Sequence, residues 1–506
     1  MHPYEQQEHP SDRGRDRRTR TRIAALATGL CTLAAFAAGL PTANASPDHG
    51  SGRTPAPSTN ATTRAAQSQV VLSKGTSFQL TFSSPGGQGL LDLTAWAPGT
   101  NWQREGDESA VASVSVDGAY QTDLLVPGAR KVDRELALGD LSAGRHRLRI
   151  AFSAAHSAPQ AKIIKLATIT ARTVQKADPT YVALTHAPIV YGRSLAAYGG
   201  PMQNQWTDVP LIGWHYSTAN DDGSTTLEYQ MVWSNEDGGT DTEPPSEQAR
   251  WGRMTDIEWI YRVTVDADGA TVPGSETYQS PGHGNTQFAG DHEGAHPVLQ
   301  TCTDNNNVCD QLDNATMRFF LSYAATMDPT TSAREQIMDA NPWTYRVMGQ
   351  EMIREHHTEK VANPQTAELS DARDYLYVVI DKATSDPDAN GSSPWVGVSV
   401  GVKLKGDRTW YRSDHNVPAW SLQRDGQAAT TVELPEGTGN ADIAKIKLIR
   451  FATSERADPG YTVKITSMNR AYLLDHSYAP EKPYLTWKGS VTLSKAHPTQ
   501  LINFTR

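Results

Sequence analysis

The chain has 506 residues, with 46 Lys and Arg set against 56 Asp and Glu, for a formal charge of −10. Binding to DNA or RNA needs a basic footprint that displaces counterions, and no Lys/Arg cluster stands out beyond residue 45, so nucleic acid is not an expected partner. With 38% hydrophobic and 20% charged residues, the composition is that of a globular chain with large polar loops.

The N-terminus reads as a secretory signal over residues 1–45. Arg13, Arg15, Arg17, Arg18, Arg20 and Arg22 form a basic region, Ile23 to Leu40 is apolar, and Ala43-Asn44-Ala45 gives a small-x-small cleavage site. The expected location is therefore extracellular. Lacking any later apolar run, the chain is expected to carry no transmembrane segment once the signal is removed. Residues 46–67 are rich in Ser, Pro, Thr and Gly and bury too little apolar surface to offset ordering, so they read as a disordered leader. About 460 residues remain, enough for roughly three domains.

Residues 68–173 alternate apolar and polar with period two, as in Ser113-Val114-Ser115-Val116 and His146-Arg147-Leu148-Arg149-Ile150, with glycine-rich turns between. Short alternating strands predict a β-sandwich. Val116-Asp117-Gly118-Ala119-Tyr120 and the Leu138–His146 phrase resemble carbohydrate-binding modules. Residues 176–330 hold five Trp and five His together with several Asp and read as the functional β domain. Residues 331–362 carry the helical pattern: Thr331 or Ser332 as cap, Glu335 behind it, a break at Pro342, and a second helix from Trp343 to Lys360. Val347, Met348, Met352 and Ile353 recur at helical spacing, as a packing stripe does. From 374 to 506 the period returns to two, predicting a C-terminal β-sandwich. The expected fold is mainly β: several β-sandwich domains with a short helical segment between the central and C-terminal parts.

Cys31 leaves with the signal, and Cys302 and Cys309 bracket a six-residue loop. A closely spaced pair in an exported chain predicts a disulfide. The densest chemical signal is Trp251 to Val263. Asp256 and Glu258 are two apart on a predicted strand, hence on one face and roughly 7 Å apart along it. Like charges so placed call for a divalent cation, an arginine or a shared proton. Arg253 is the candidate charge partner, and Asp256 and Glu258 are candidates for metal binding or acid/base catalysis. Asp237 in an acidic Gly-bearing loop, His283 and His296 complete a candidate metal set whose oxygen donors suit calcium or magnesium. Trp206, Trp214, Trp233, Trp251 and Trp259 fall in the same region, as core or as sugar-stacking surface. No Gly-x-Ser-x-Gly elbow, phosphate loop or His-Glu-x-x-His helix is present. Glu355-His356-His357-Thr358-Glu359 reads as a solvated helix end.

His186-Ala187-Pro188-Ile189-Val190-Tyr191, then Asp256-Ile257-Glu258 before an apolar strand, then His283 after Tyr278-Gln279-Ser280 and finally His296-Pro297-Val298, resemble the vacuolar-protein-sorting-sixty-two-like family. More distantly they resemble the necrosis- and ethylene-inducing peptide-like proteins. That resemblance implies a β-sandwich with a divalent ion and a membrane- or surface-directed role. Arg253 stands where those proteins place a histidine ligand. Laminarinase-type glycoside hydrolases share the acidic strand pattern, but Met254 occupies the position of their nucleophile. The sequence thus predicts a secreted, carbohydrate-directed protein that binds a polysaccharide or glycan surface or hydrolyses it. The alternative is a non-catalytic cell-surface or membrane-binding protein.

Overall fold

The computed structural model describes residues 62–64, 69–193, 207–235, 244–313, 316–360, 368–385, 396–452 and 458–506. The signal, most of the leader, Trp206 and Asp237 lie outside the described residues. The fold is mainly β, with 49% of residues in strands and 10% helical, as the alternating pattern predicts.

The first sheet has seven strands. Two long ones, Ser77–Trp96 and Val132–Phe152, pair antiparallel along nearly their whole length. A register shift between Gly89 and Leu90 marks a bulge, which bends a ribbon too long to stay flat. A Cβ on Gly89 would lie 2.6 Å from Leu141 Cδ1, so only glycine fits there. Alternate residues Leu91, Leu93, Ala95, Leu148 and Ile150 are buried, as expected of one apolar face per strand.

Two five-stranded sheets follow. In one, Ile257–Val265 lies between Thr225–Trp233 and Thr277–Ser280. In the other, His296–Thr301 runs parallel to Ile189–Tyr191. One continuous apolar cluster reaches from Leu72 through these sheets to Tyr478.

The helical segment forms, but its second helix spans Trp343–Arg354 and stops six residues short of the expected Lys360. His356 adopts a left-handed φ of 62°. Its N–H bonds Ile353 O, and that of His357 bonds Met352 O. This is a Schellman end, usually made with glycine. Val347, Met348 and Met352 are buried, as the stripe predicts.

The last region packs two four-stranded sheets around Leu376, Val378, Val398, Val400, Ile446 and Leu448. It docks on the last turn of the Pro244–Trp251 helix. Thr430 and Thr431 hydroxyls donate to Ala249 O (2.6 Å) and Gln248 O (3.0 Å).

Candidate functional site

The strand expected to carry both carboxylates begins at Ile257. Asp256 stands just before it, fully buried, its carbonyl accepting from Trp233 N–H. Arg253 is 2% exposed and lies 3.6 Å from Glu335. Glu335 also accepts from Arg424 at 2.8 Å. Burial works against its charge, yet Arg424, Arg253 and Arg334 together hold its carboxyl down at about 2. Arg253 is therefore part of a buried arginine–glutamate cluster.

Glu258 and His283 are brought together. Glu258 Oε1 is 3.9 Å from His283 Nδ1, and its other oxygen is 4.0 Å from Arg334. Amide side chains surround the imidazole: Gln279 at 3.1 Å and Asn307 at 3.4 Å from Nδ1, and Asn305 at 3.0 Å from Nε2. Asn307 turns its oxygen to Gly282 N–H, so it offers the imidazole an N–H. The disulfide Cys302–Cys309 forms as expected and closes the loop bearing these asparagines.

His296 sits elsewhere, buried, with Nδ1 2.9 Å from Ala187 O and its ring 4.7 Å from Phe320. Burial lowers its pKa to about 4, keeping it neutral. Asp237 lies outside the described residues. Among the described residues no group of three or more His, Cys, Asp or Glu is arranged to hold a metal ion. Trp214 and Trp233 are fully buried core. Trp251 is flanked by Arg250 and Arg424, and Trp259 lies under Arg262.

A second cluster escaped the sequence reading. Thr207 Oγ1 lies 2.5 Å from Glu351, 3.2 Å from Asp208 and 3.5 Å from Glu355. Arg354 reaches Glu351 at 3.2 Å and Glu355 at 3.1 Å, and Arg193 pairs with Asp208. A hydroxyl has one proton and two lone pairs, so it serves three carboxyls only if some are protonated. The electrostatics agree. Burial raises Asp208 to about 7, Arg193 pulling against it and Glu351 adding to it. Burial and then Glu351 raise Glu355 to about 8. Glu355 thus lies inward, in place of the solvated helix end expected. The signal was present: Glu351 and Glu355 share the helical spacing of Met348 and Met352.

An open cleft of 730 Å³ forms the third feature, lined by residues of the Gly426–Glu433, Tyr375–Thr384, Val463–Tyr472 and Leu485–Leu493 strands, with Trp487 partly buried against the core between the two C-terminal sheets. Trp487, Asp381, Gln427, Thr466, Asn469 and Lys488 are among its lining residues. Trp487 lies against Gly489, where a Cβ would come within 2.6 Å of Cζ2. Thr466 donates to Asp381 at 2.6 Å, Ser467 to Asn469 at 2.7 Å, and Asn469 to Gln427. The polar groups are thus fixed by one another before any ligand arrives.

No protein-family model and no curated protein sequence matches the chain. Among solved structures, a family 35 carbohydrate binding module from an environmental isolate is similar at 14% identity, covering 20% of this chain and 67% of that one, with a TM-score of 0.16. The CBM36-1 domain of a multidomain xylanase from the hindgut metagenome of Trinervitermes trinervoides is similar at 10% identity, covering 24% of this chain and 98% of that one, with a TM-score of 0.18. A ruminal GH26 endo-β-1,4-mannanase is similar at 12% identity, over 26% of this chain and 29% of that one, with a TM-score of 0.16.

Proposed function

We propose that the chain is an extracellular glycan-binding protein that takes a sugar chain into the cleft beside Trp487. The observation that carries this reading is the cleft itself: a sugar-sized volume that combines one indole with pre-ordered hydroxyl, amide and carboxylate groups. A sugar ring presents an apolar face for stacking and hydroxyls that both donate and accept. Asp381, Gln427 and Asn469 meet the second need without a buried unpaired charge. Export is supported by the N-terminal pattern and by the disulfide.

Affinity electrophoresis against xylan, mannan, β-glucan and polygalacturonate tests the proposal. Wild type should be retarded by at least one neutral polymer, with affinity about tenfold lower in Trp487→Ala, the equivalent of about 1.4 kcal/mol. Equal binding by the variant would remove the cleft from consideration. Leakage of liposomes by the wild type, without glycan binding, would favour the membrane-directed class instead.

Hydrolysis is the second reading, favoured by Glu355. With its carboxyl raised to about 8 it is protonated at neutral pH, as a general acid must be. Release of reducing sugar by wild type and its loss in Glu355→Gln is the expected result for that reading.

A further inference from the structure

The other sheet of the C-terminal region, made of Tyr411–Arg412, Val396–Leu404, Ile443–Ala452 and Thr499–Ile502, has a different outer face. Val398, Val400, Val402, Ile446 and Leu448 point into the core, so the residues between them point out. Register sets Lys403 opposite Lys445 and Gly401 opposite Lys447. The next strand places Leu501, 49% exposed, opposite Lys447. Trp410 joins this face: Lys447 Nζ is 4.1 Å and Lys403 Nζ 5.7 Å from its ring centroid. A Cβ on Gly401 would stand 2.7 Å from Lys447 Cε, so the missing side chain is what lets the lysine stem cross the strand.

Arg412, on the same face, is neutralised by Asp414 through two bonds of 2.9 and 2.7 Å. Lys403, Lys445 and Lys447 form no ion pair among the described residues. Partial burial, and then Arg412 and Lys403, push the Lys447 ammonium below its ordinary pKa. Lys405 and Arg408 are exposed in the adjoining connection. The absence of a Lys/Arg cluster read from the sequence is thereby corrected: the lysines gather across strands, not along the chain.

We propose that this face binds an acidic polysaccharide, one whose sugars carry carboxylates. Mutually repelling cations that form no ion pair favour an anion, and the indole beside them adds an apolar surface for a sugar ring. A polymer with one charge per sugar matches a few spaced ammonium groups. Duplex DNA presents a charge about every 1.7 Å, a density that a few separated ammonium groups do not match. This site lies on a different sheet from the cleft and does not depend on it.

The test is affinity electrophoresis of the full chain in gels containing polygalacturonate, with neutral mannan as control. Wild type and Trp487→Ala should both be retarded by polygalacturonate. Lys445→Gln/Lys447→Gln and Trp410→Ala should each lose at least about tenfold in affinity, while binding neutral polymer like wild type. Retardation should fall as salt rises from about 0.05 M to about 0.3 M, because exposed charges are screened. Gly401→Ala, which disturbs only the path of Lys447, should weaken binding without lowering the melting temperature by more than a few degrees. Wild type migrating freely, or the lysine variant binding unchanged, overturns the proposal. Tighter binding to duplex DNA or phosphatidylserine vesicles than to polygalacturonate at the same salt overturns the assignment of its occupant.

Discussion

Glu335 and Glu355 are twenty residues apart on the same helical segment, yet their carboxyls are held at about 2 and about 8. Both suffer burial. Glu335 is met by Arg253, Arg334 and Arg424, whereas Glu355 shares one arginine, Arg354, with Glu351. The ratio of arginines to carboxylates, not depth, decides which group keeps its charge. One setting is a lock that requires a charge, and the other is a store that takes up protons at neutral pH.

The comparison breaks most visibly at the lock. Glu335→Gln leaves buried arginines without their shared carboxylate and should cost about 3–5 kcal/mol, measured by urea unfolding. A loss below about 1 kcal/mol would mean the arginines find other partners. Thr207→Val removes the hydroxyl that joins the three carboxyls of the other cluster and should cost about 1–3 kcal/mol.

The two settings should also respond to pH with opposite sign. Glu335 is lowered in the folded chain, so its contribution is present above the ordinary carboxylate value and lost as pH falls toward 2. Asp208 and Glu355 are raised, so theirs is present below the ordinary value and lost as pH rises through about 7 and 8. Melting temperatures should therefore fall between about pH 5 and pH 9, and Glu355→Gln should flatten that slope. An unchanged slope in the variant would mean another group carries it. The smallest effect belongs to the surface: Gly489→Ala must shift the Trp487 ring and should lower glycan affinity severalfold, with stability changed by about 1 kcal/mol or less.

Much of the architecture was legible, because a half-buried strand has to alternate. The runs around Val114, Ile150, Val398 and Leu448 form strands with the apolar side inward, and two exported cysteines at short spacing pair. The sites were less so. Asp256 and Glu258 are two apart in sequence, but the strand starts between them, leaving one fully buried and the other 14% exposed beside His283. The carboxyl cluster joins Asp208 to a helix far along the chain, a contact no local pattern announces. Lys403-Leu404-Lys405 and Lys445-Ile446-Lys447 were readable as period-two pairs. Only cross-strand register makes them one patch. The helix end at His356 was missed because the left-handed position is filled by histidine instead of glycine.

The loop between Cys302 and Cys309 has two clients. Asn305 and Asn307 attend His283, while Asn306, between them, turns the other way to Asp208 and to Asn235 O. Three consecutive residues of one type are thus non-interchangeable, each with its own address. An insertion or deletion of a single residue between the cysteines would swap those addresses and disturb both polar clusters at once. For anyone re-engineering this protein, the loop is therefore the wrong place to vary length, despite looking in sequence like a spacer of repeated asparagine.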